Sequence, residues 1–289
     1  MSIVITGANG HLGRLAVADL IARGVPADRI IGVVRSVEKG AELAGQGVRL
    51  HVADYDRPDS FSGAFAAGDR VLLISGSEPG RRGPQHKAVI DAAAGAGVAQ
   101  LAYTGAFGGP RAWFRLADDH RETEDLILAS GLPYTFLRNN WYSEIYTGDV
   151  AGIVARGAVT NAVAAESRIA TASRADFAAA AAAVLTGEGH LNRAYELSGD
   201  SAWSFGEFAA EVSRQSGRPV SHVTVAPAEL KAILVGAGLP DAFADVLVEV
   251  DDAINKGALA GTPGDLARLI GRPTTPIADT IAADLATLG

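Results

Sequence analysis

The chain has no cysteine among its 289 residues. That excludes disulfides, thiolate zinc sites, cysteine-ligated iron–sulfur clusters and cysteine nucleophiles, and it fits a cytoplasmic protein. Basic residues are in deficit: 25 Lys and Arg against 33 Asp and Glu give a formal net charge of −8. Neither a nucleic acid nor an anionic membrane surface is expected as a partner of so acidic a protein. Long apolar runs are missing too. None approaches the roughly 20 residues that cross a bilayer, and the alanine-rich run 178–185 is short and weakly hydrophobic. The start, Ile3-Val4-Ile5-Thr6-Gly7 directly after Met1 and Ser2, lacks the basic segment and apolar length of a secretory leader, so none is expected.

What is present is a core. Apolar residues make up 48% of the chain, with 34 glycines, a composition of neither disorder nor coiled coil. The length suits one large domain, or one domain with an added lobe. Short β-rich runs at 2–6, 29–35, 48–53, 70–75, 100–104 and 133–138 alternate with helical stretches at 11–23, 85–96 and 116–130. Interleaving of this kind predicts βαβ units, and apolar runs without alternation predict strands covered on both faces. The fold class is therefore α/β, a Rossmann-like doubly wound parallel sheet over 1–140. Residues 141–289 are expected to form a smaller mixed α/β lobe packed on it, with possible strand return around 150–175 and 193–198. In that half a helix over 176–185 is capped by Ser173. Ser204-Phe-Gly-Glu207 fits a capping box, and 219–225 reads as a strand.

Gly7-Ala8-Asn9-Gly10-His11-Leu12-Gly13 follows the first strand and opens the first helix. The first glycine permits a tight turn, the second lets backbone approach a pyrophosphate, and the third lets helix pack on strand. The helix N-terminus adds unpaired N–H groups. No Gly-Lys-Ser/Thr follows, which argues against a P-loop. The second strand ends Val33-Val34-Arg35-Ser36. An acidic residue there would grip the ribose of NAD. Arg35 instead suits the 2′-phosphate of NADPH, unless it is simply a solvated strand end. Asp54-Tyr55 either flanks the adenine or caps a turn. Ser75-Gly76-Ser77, after the fourth strand, faces the middle of the cofactor or forms an ordinary loop.

A short-chain dehydrogenase carries Tyr-x-x-x-Lys, and this chain does not. Four residues after Tyr55, Tyr103, Tyr134, Tyr142, Tyr146 and Tyr195 stand Asp59, Phe107, Arg138, Tyr146, Val150 and Gly199. In the helix where the pair belongs, Leu116 takes the tyrosine's place and His120 the lysine's. Reducing an ordinary ketone creates a strongly basic alkoxide that needs a proton donor. A quinone or a stabilised carbocation needs only positioning. The missing acid thus points to an electron-poor conjugated acceptor, or to no reaction.

The chain resembles the NmrA-like group of atypical short-chain dehydrogenases, and within it the bacterial NAD(P)H:quinone oxidoreductases and triphenylmethane reductases. The resemblance runs over essentially the whole length. Its carriers include 7–13, 31–35, 72–78, 84–86, 102–104, 116–124, 134–144, 195–203 and 269–275. It implies NADPH (NADP+) on Gly7, Ala8, Asn9, Gly10, His11 and Leu12, on Arg35, and on Ser75, Gly76 and Ser77, with a further contact from Arg168. It implies a quinone at Asn139, Asn140, Trp141, Tyr142, Ser143 and Glu144. Trp141 and Tyr142 offer flat faces, or pack the second lobe. Asn139 or Asn140 can donate to a carbonyl. Asn140 and 107–115 depart from the group's pattern. His86 and His120 are the catalytic candidates, with polar packing as the alternative. No histidine has metal-ligand spacing, so no metal is expected. The expected function is NADPH-dependent reduction of a quinone or similar conjugated acceptor by a monomer or homodimer. The alternatives are a non-catalytic NADP(H) sensor and a reductase of other acceptors such as triphenylmethane dyes.

Overall fold

A computed structural model describes residues 1–287. In chain order the elements are β1 (Ile3–Thr6), α1 (His11–Ala22), β2 (Ile30–Val34), α2 (Ala41–Gly45), β3 (Arg49–Val52), β4 (Arg70–Leu73), α3 (Arg82–Ala96), β5 (Gln100–Ala106), α4 (Leu116–Ser130) and β6 (Tyr134–Asn139). There follow α5 (Glu144–Thr147), α6 (Val150–Arg156), β7 (Ala158–Asn161), α7 (Arg174–Thr186), β8 (Arg193–Leu197), α8 (Phe205–Ser216), β9 (Ser221–Thr224), α9 (Pro227–Gly236), α10 (Asp241–Asn255), α11 (Asp265–Ile270) and α12 (Ile277–Ala286).

β1 reads Ile-Val-Ile-Thr and is buried throughout, as a strand covered on both faces must be. It lies inside a seven-stranded sheet of order β3-β2-β1-β4-β5-β6-β8, and each neighbouring pair is parallel. The order reverses between β1 and β4. In open parallel sheets a ligand crevice opens at that reversal, beyond the carboxyl ends of the strands.

One face of the sheet packs against α1, α7 and α11 through Leu20, Phe177 and Leu266. The other packs against α3 and α4 through Val89, Ile90 and Ile127. The alanine-rich run is explained by its neighbours. Every residue of α7 from Asp176 to Leu185 is buried, because the helix is enclosed by α1, α11 and the sheet. Alanine keeps those backbones close. Ser173 Oγ accepts from the Asp176 amide at 3.1 Å, and the capping box at Ser204 and Glu207 is formed.

The second half of the chain does not stay in its own lobe. α7, α11 and β8 belong to the sheet layers, and β8 is the strand anticipated near 193–198. Within 150–175 the strand is β7, which pairs with β9 in a separate two-stranded parallel sheet. A second core of Phe205, Phe208, Val212, Val250 and Ile254 holds this lobe together.

Ala180 is fully buried in the α7 layer. Ala180→Leu should therefore overpack it and lower the unfolding free energy by about 1–3 kcal/mol, read as a shift in the urea midpoint at unchanged slope.

Candidate active site

The glycine loop is built by close approach. Gly7 has a φ of +62°, and the Gly10 amide donates to the Gly7 carbonyl at 3.0 Å. A Cβ on Gly13 would lie 2.5 Å from that carbonyl oxygen and 2.7 Å from Ala8 Cα. Only glycine lets α1 start against the turn. The first turn of α1 has no acidic residue and no side-chain cap, so its N–H groups remain available to an anion.

From this loop a cleft of about 310 Å3 runs along the ends of β1 to β4. Gly7, Asn9, Gly10, Arg35, Ser75, Gly76 and Ser77 all line it, together with Asp54, Tyr55 and Gln85. Arg35 is exposed at its rim, and no carboxylate among the described residues pairs with it. Tyr55 donates to Ile74 O at 2.9 Å and fixes the wall. Ala8 and Leu12 are buried and His11 is exposed, and none of the three lines the cleft. Arg168 is not brought to the cleft. Its guanidinium is held by Glu207 of α8 at 2.7 Å and by Ala202 O, just before that helix, at 2.6 Å.

The cleft continues, through Ser75, into an inner cavity of about 210 Å3. Its walls include Phe107, Phe114, Leu116, His120, Asn139, Asn140, Trp141 and Tyr142. Leu116 and His120 lie one turn apart on α4, so hydrocarbon stands where a phenol would be needed. Asn139 Oδ1 is buried without a partner, a free acceptor for a ligand N–H. Asn140 is saturated: its Nδ2 donates to Ala170 O and Leu259 O, each at 3.0 Å, and its Oδ1 accepts from the Trp141 amide at 2.8 Å. It shapes the wall and has no donor left for a carbonyl. Ser143 and Glu144 turn away from the cavity. Ser143 Oγ donates to Thr171 Oγ1 at 2.9 Å, and Glu144 accepts from the Arg174 amide at 2.8 Å. A larger, shallower groove of about 610 Å3 beside Phe61, Phe65 and Lys87 contains none of the candidate site residues.

The sequence reading missed Arg82. Its side chain lines the inner cavity and is only 8% exposed. Nε donates to Gly76 O at 2.7 Å, Nη1 reaches His120 Nε2 at 3.5 Å, and Asp119 stands 3.7 Å away. Burial pulls its pKa down from the ordinary arginine value, yet an arginine stays charged. Phe107 and Phe114 were missed as well, and both fall in the stretch that departs from the family pattern. A segment between a strand's carboxyl end and the next helix is where such contacts arise.

Burial, and then the Arg82 cation, depress both histidines to about 3. Each is neutral near pH 7. His86 does not reach either cavity: it is fully buried, takes the Gly76 amide on Nε2 at 2.8 Å and meets Thr123 Oγ1 through Nδ1 at 2.8 Å. It holds the 75–77 loop and is a positioning residue. His120 touches the inner cavity, and its Nδ1 pairs with the Tyr103 hydroxyl at 2.8 Å. Neither is an imidazolium that could give up a proton.

Residues 7–188 match the family model for NAD(P)H-binding proteins, and the chain belongs to that family. It is 42% identical to quinone oxidoreductase 2 of Escherichia coli strain K12 over 97% of both chains. The crystal structure of the NADPH-dependent E. coli quinone oxidoreductase complexed with NADPH matches with a TM-score of 0.93, covering 97% of this chain and 99% of that one. The Citrobacter triphenylmethane reductase complexed with NADP(H) matches with a TM-score of 0.91 at 38% identity, over 98% and 100% of the two chains.

Two outcomes follow from the geometry. Arg35→Asp exchanges attraction for repulsion at the cleft rim. A charge-assisted pair is worth about 1.5–3 kcal/mol, so NADPH affinity should fall roughly tenfold or more by calorimetry, with far less change for NADH. The second concerns acid. A histidine whose folded pKa lies near 3 contributes stability that is present above the unfolded value of about 6.5. That stability is withdrawn as the pH falls from 6.5 toward 3. His120→Gln removes one such proton and should make the loss of unfolding free energy between pH 6.5 and 4.5 shallower than in the wild type.

Proposed function

We propose that the protein is an NADPH-dependent reductase of quinones that works by positioned hydride transfer without a general acid. One observation carries this reading. The nucleotide cleft opens at Ser75 into a narrow aromatic and aliphatic cavity whose charged lining is the Arg82 guanidinium. NADPH, when bound, supplies the hydride.

The residues of the chain do the rest. The Gly7–Gly13 loop and the α1 N-terminus receive the pyrophosphate, and Arg35 receives the 2′-phosphate. Asn139 Oδ1 is placed to accept a hydrogen bond at the inner end of the cleft. Trp141 and Tyr142 orient a planar ring, and Leu116 excludes water from one side. As negative charge grows on the quinone oxygen, Arg82 stabilises it in a low-dielectric cavity. The neutral His120 supplies no proton, so the hydroquinone oxygen takes its proton from solvent. A buried cation also favours an acceptor that gains negative charge over one that begins cationic, which sets quinones ahead of cationic dyes.

The test is NADPH oxidation, followed by absorbance, with 1,4-benzoquinone. The wild type should turn over, and Arg82→Met should lower kcat by about tenfold to a hundredfold, short of the 10²–10³ seen for a lost oxyanion donor. Arg82→Lys should recover part of that rate. His120→Ala should cost less than the roughly 10²–10⁴-fold of a lost general acid. Efficient reduction of cyclohexanone would overturn the reading, because an alkoxide product needs an activated acid, and burial raises the pKa of Tyr142, the phenol that lines this cavity.

A further inference from the structure

Asp251 is a buried carboxyl that the proposed chemistry does not use. It lies on α10 and is 7% exposed. One oxygen accepts from the Ala162 amide at 2.7 Å; the other has no hydrogen-bond partner among the described residues. The side chain lines a second cavity of about 280 Å3 in the second lobe, enclosed by residues of α5, α6, β7, α8, α9 and α10. Its walls are largely apolar. Tyr146 also lines it, its ring fixed edge-on by Trp203 and Phe205 and its hydroxyl likewise unpartnered among the described residues. An apolar cavity with a few convergent polar groups is the usual form of a small-molecule site.

The cavity is next to the proposed active site. Trp141 and Ile145 line both this cavity and the inner one. Ile145 is 42% exposed, so a flexible chain can cross at that shared rim. We infer that the second cavity receives an apolar arm of the acceptor, ending in a hydroxyl or amino group that donates to Asp251. The inference rests on the quinone-reductase reading. At roughly 30 Å3 per water-sized group, the space holds an arm of about nine heavy atoms. Burial pushes the Asp251 carboxyl up to about 6. It is therefore predominantly ionised near pH 7, and an ionised carboxylate accepts strongly from a hydroxyl or ammonium.

The experiment uses three quinones with one dimethoxy-methyl-benzoquinone ring: without an arm, with an octyl arm, and with an 8-hydroxyoctyl arm. With saturating NADPH, the octyl arm should raise kcat/KM about tenfold, and the terminal hydroxyl about threefold more. Leu234→Trp, which fills the cavity from α9, should bring the ratio of armed to armless kcat/KM close to one. Asp251→Asn should erase the hydroxyl gain and keep the octyl gain. Equal kcat/KM for all three quinones in the wild type overturns the inference and leaves quinone reduction standing, as does an arm preference that survives Leu234→Trp. Failure to reduce any of them overturns the functional reading instead. Calorimetric titration of the hydroxyoctyl quinone then decides the cavity: tighter binding to wild type than to Leu234→Trp supports it, and equal or absent binding refutes it.

Discussion

Asn140 sits just past the end of β6, where the sheet stops and the second lobe begins. Its backbone amide donates to Leu197 O at 2.8 Å and so extends the β6–β8 ladder by one step. Its side chain donates to Ala170 O and Leu259 O and accepts from the Trp141 amide. One buried residue therefore ties three distant stretches of chain to a single point, Ala170 and Leu259 through its side chain and Leu197 through its backbone amide. Deleting a group that satisfies several buried partners costs more than the bonds themselves, because each partner is left unpaired. The inner cavity depends on this clamp, which turns Trp141 and Tyr142 across the end of the sheet and brings Leu259 over them.

The same junction explains why the two halves of the chain are interleaved. α7 and β8 come after Asn140 in sequence and return to the sheet, and the 269–275 stretch is pinned to them. Asp176, fully buried in the first turn of α7, accepts from Arg272 Nη2 and the Thr275 amide, each at 2.7 Å. A buried carboxylate must be paired in this way. The walls of the inner cavity thus come from both halves, whereas the nucleotide cleft is lined by the first half alone.

Legibility in the sequence followed burial. β1, β2 and β4 are covered on both faces, so their apolar runs stand out. β9 has three exposed residues among its four, Ser221–Thr224, and β7 is four residues long. Neither pattern announces a separate sheet. The glycine loop was readable because its demand is made by backbone alone, as the contacts of a Cβ on Gly13 show. Arg82 was not readable. In Pro79-Gly80-Arg81-Arg82-Gly83-Pro84 it looks like loop charge, and only folding separates it from Arg81, which stays exposed and pairs with Asp56 and Glu78. His86 and His120 could not be told apart either, since three-dimensional packing decides which of them faces a cavity.

Arg82 and Arg138 show how much the surroundings of a buried cation decide. Arg138 meets Glu124 at 2.7 Å and Glu196 at 3.0 Å, and those carboxylates hold its pKa above the ordinary arginine value. Its charge is cancelled within α4, β6 and β8, and it serves as a brace. Arg82 has the looser ion pair with Asp119 at 3.7 Å, and its close partners, Gly76 O and His120, are neutral. Its charge is therefore less fully compensated than that of Arg138, and part of its field reaches whatever enters the cavity. Because the walls are apolar, that field acts at a far lower effective dielectric than in water. A protein that lacks an acid can still favour an anionic product under these conditions, provided the product is a weak enough base to wait for solvent. Leu116 in the tyrosine's place and a loosely paired guanidinium in the cavity wall favour an acceptor of that chemical kind.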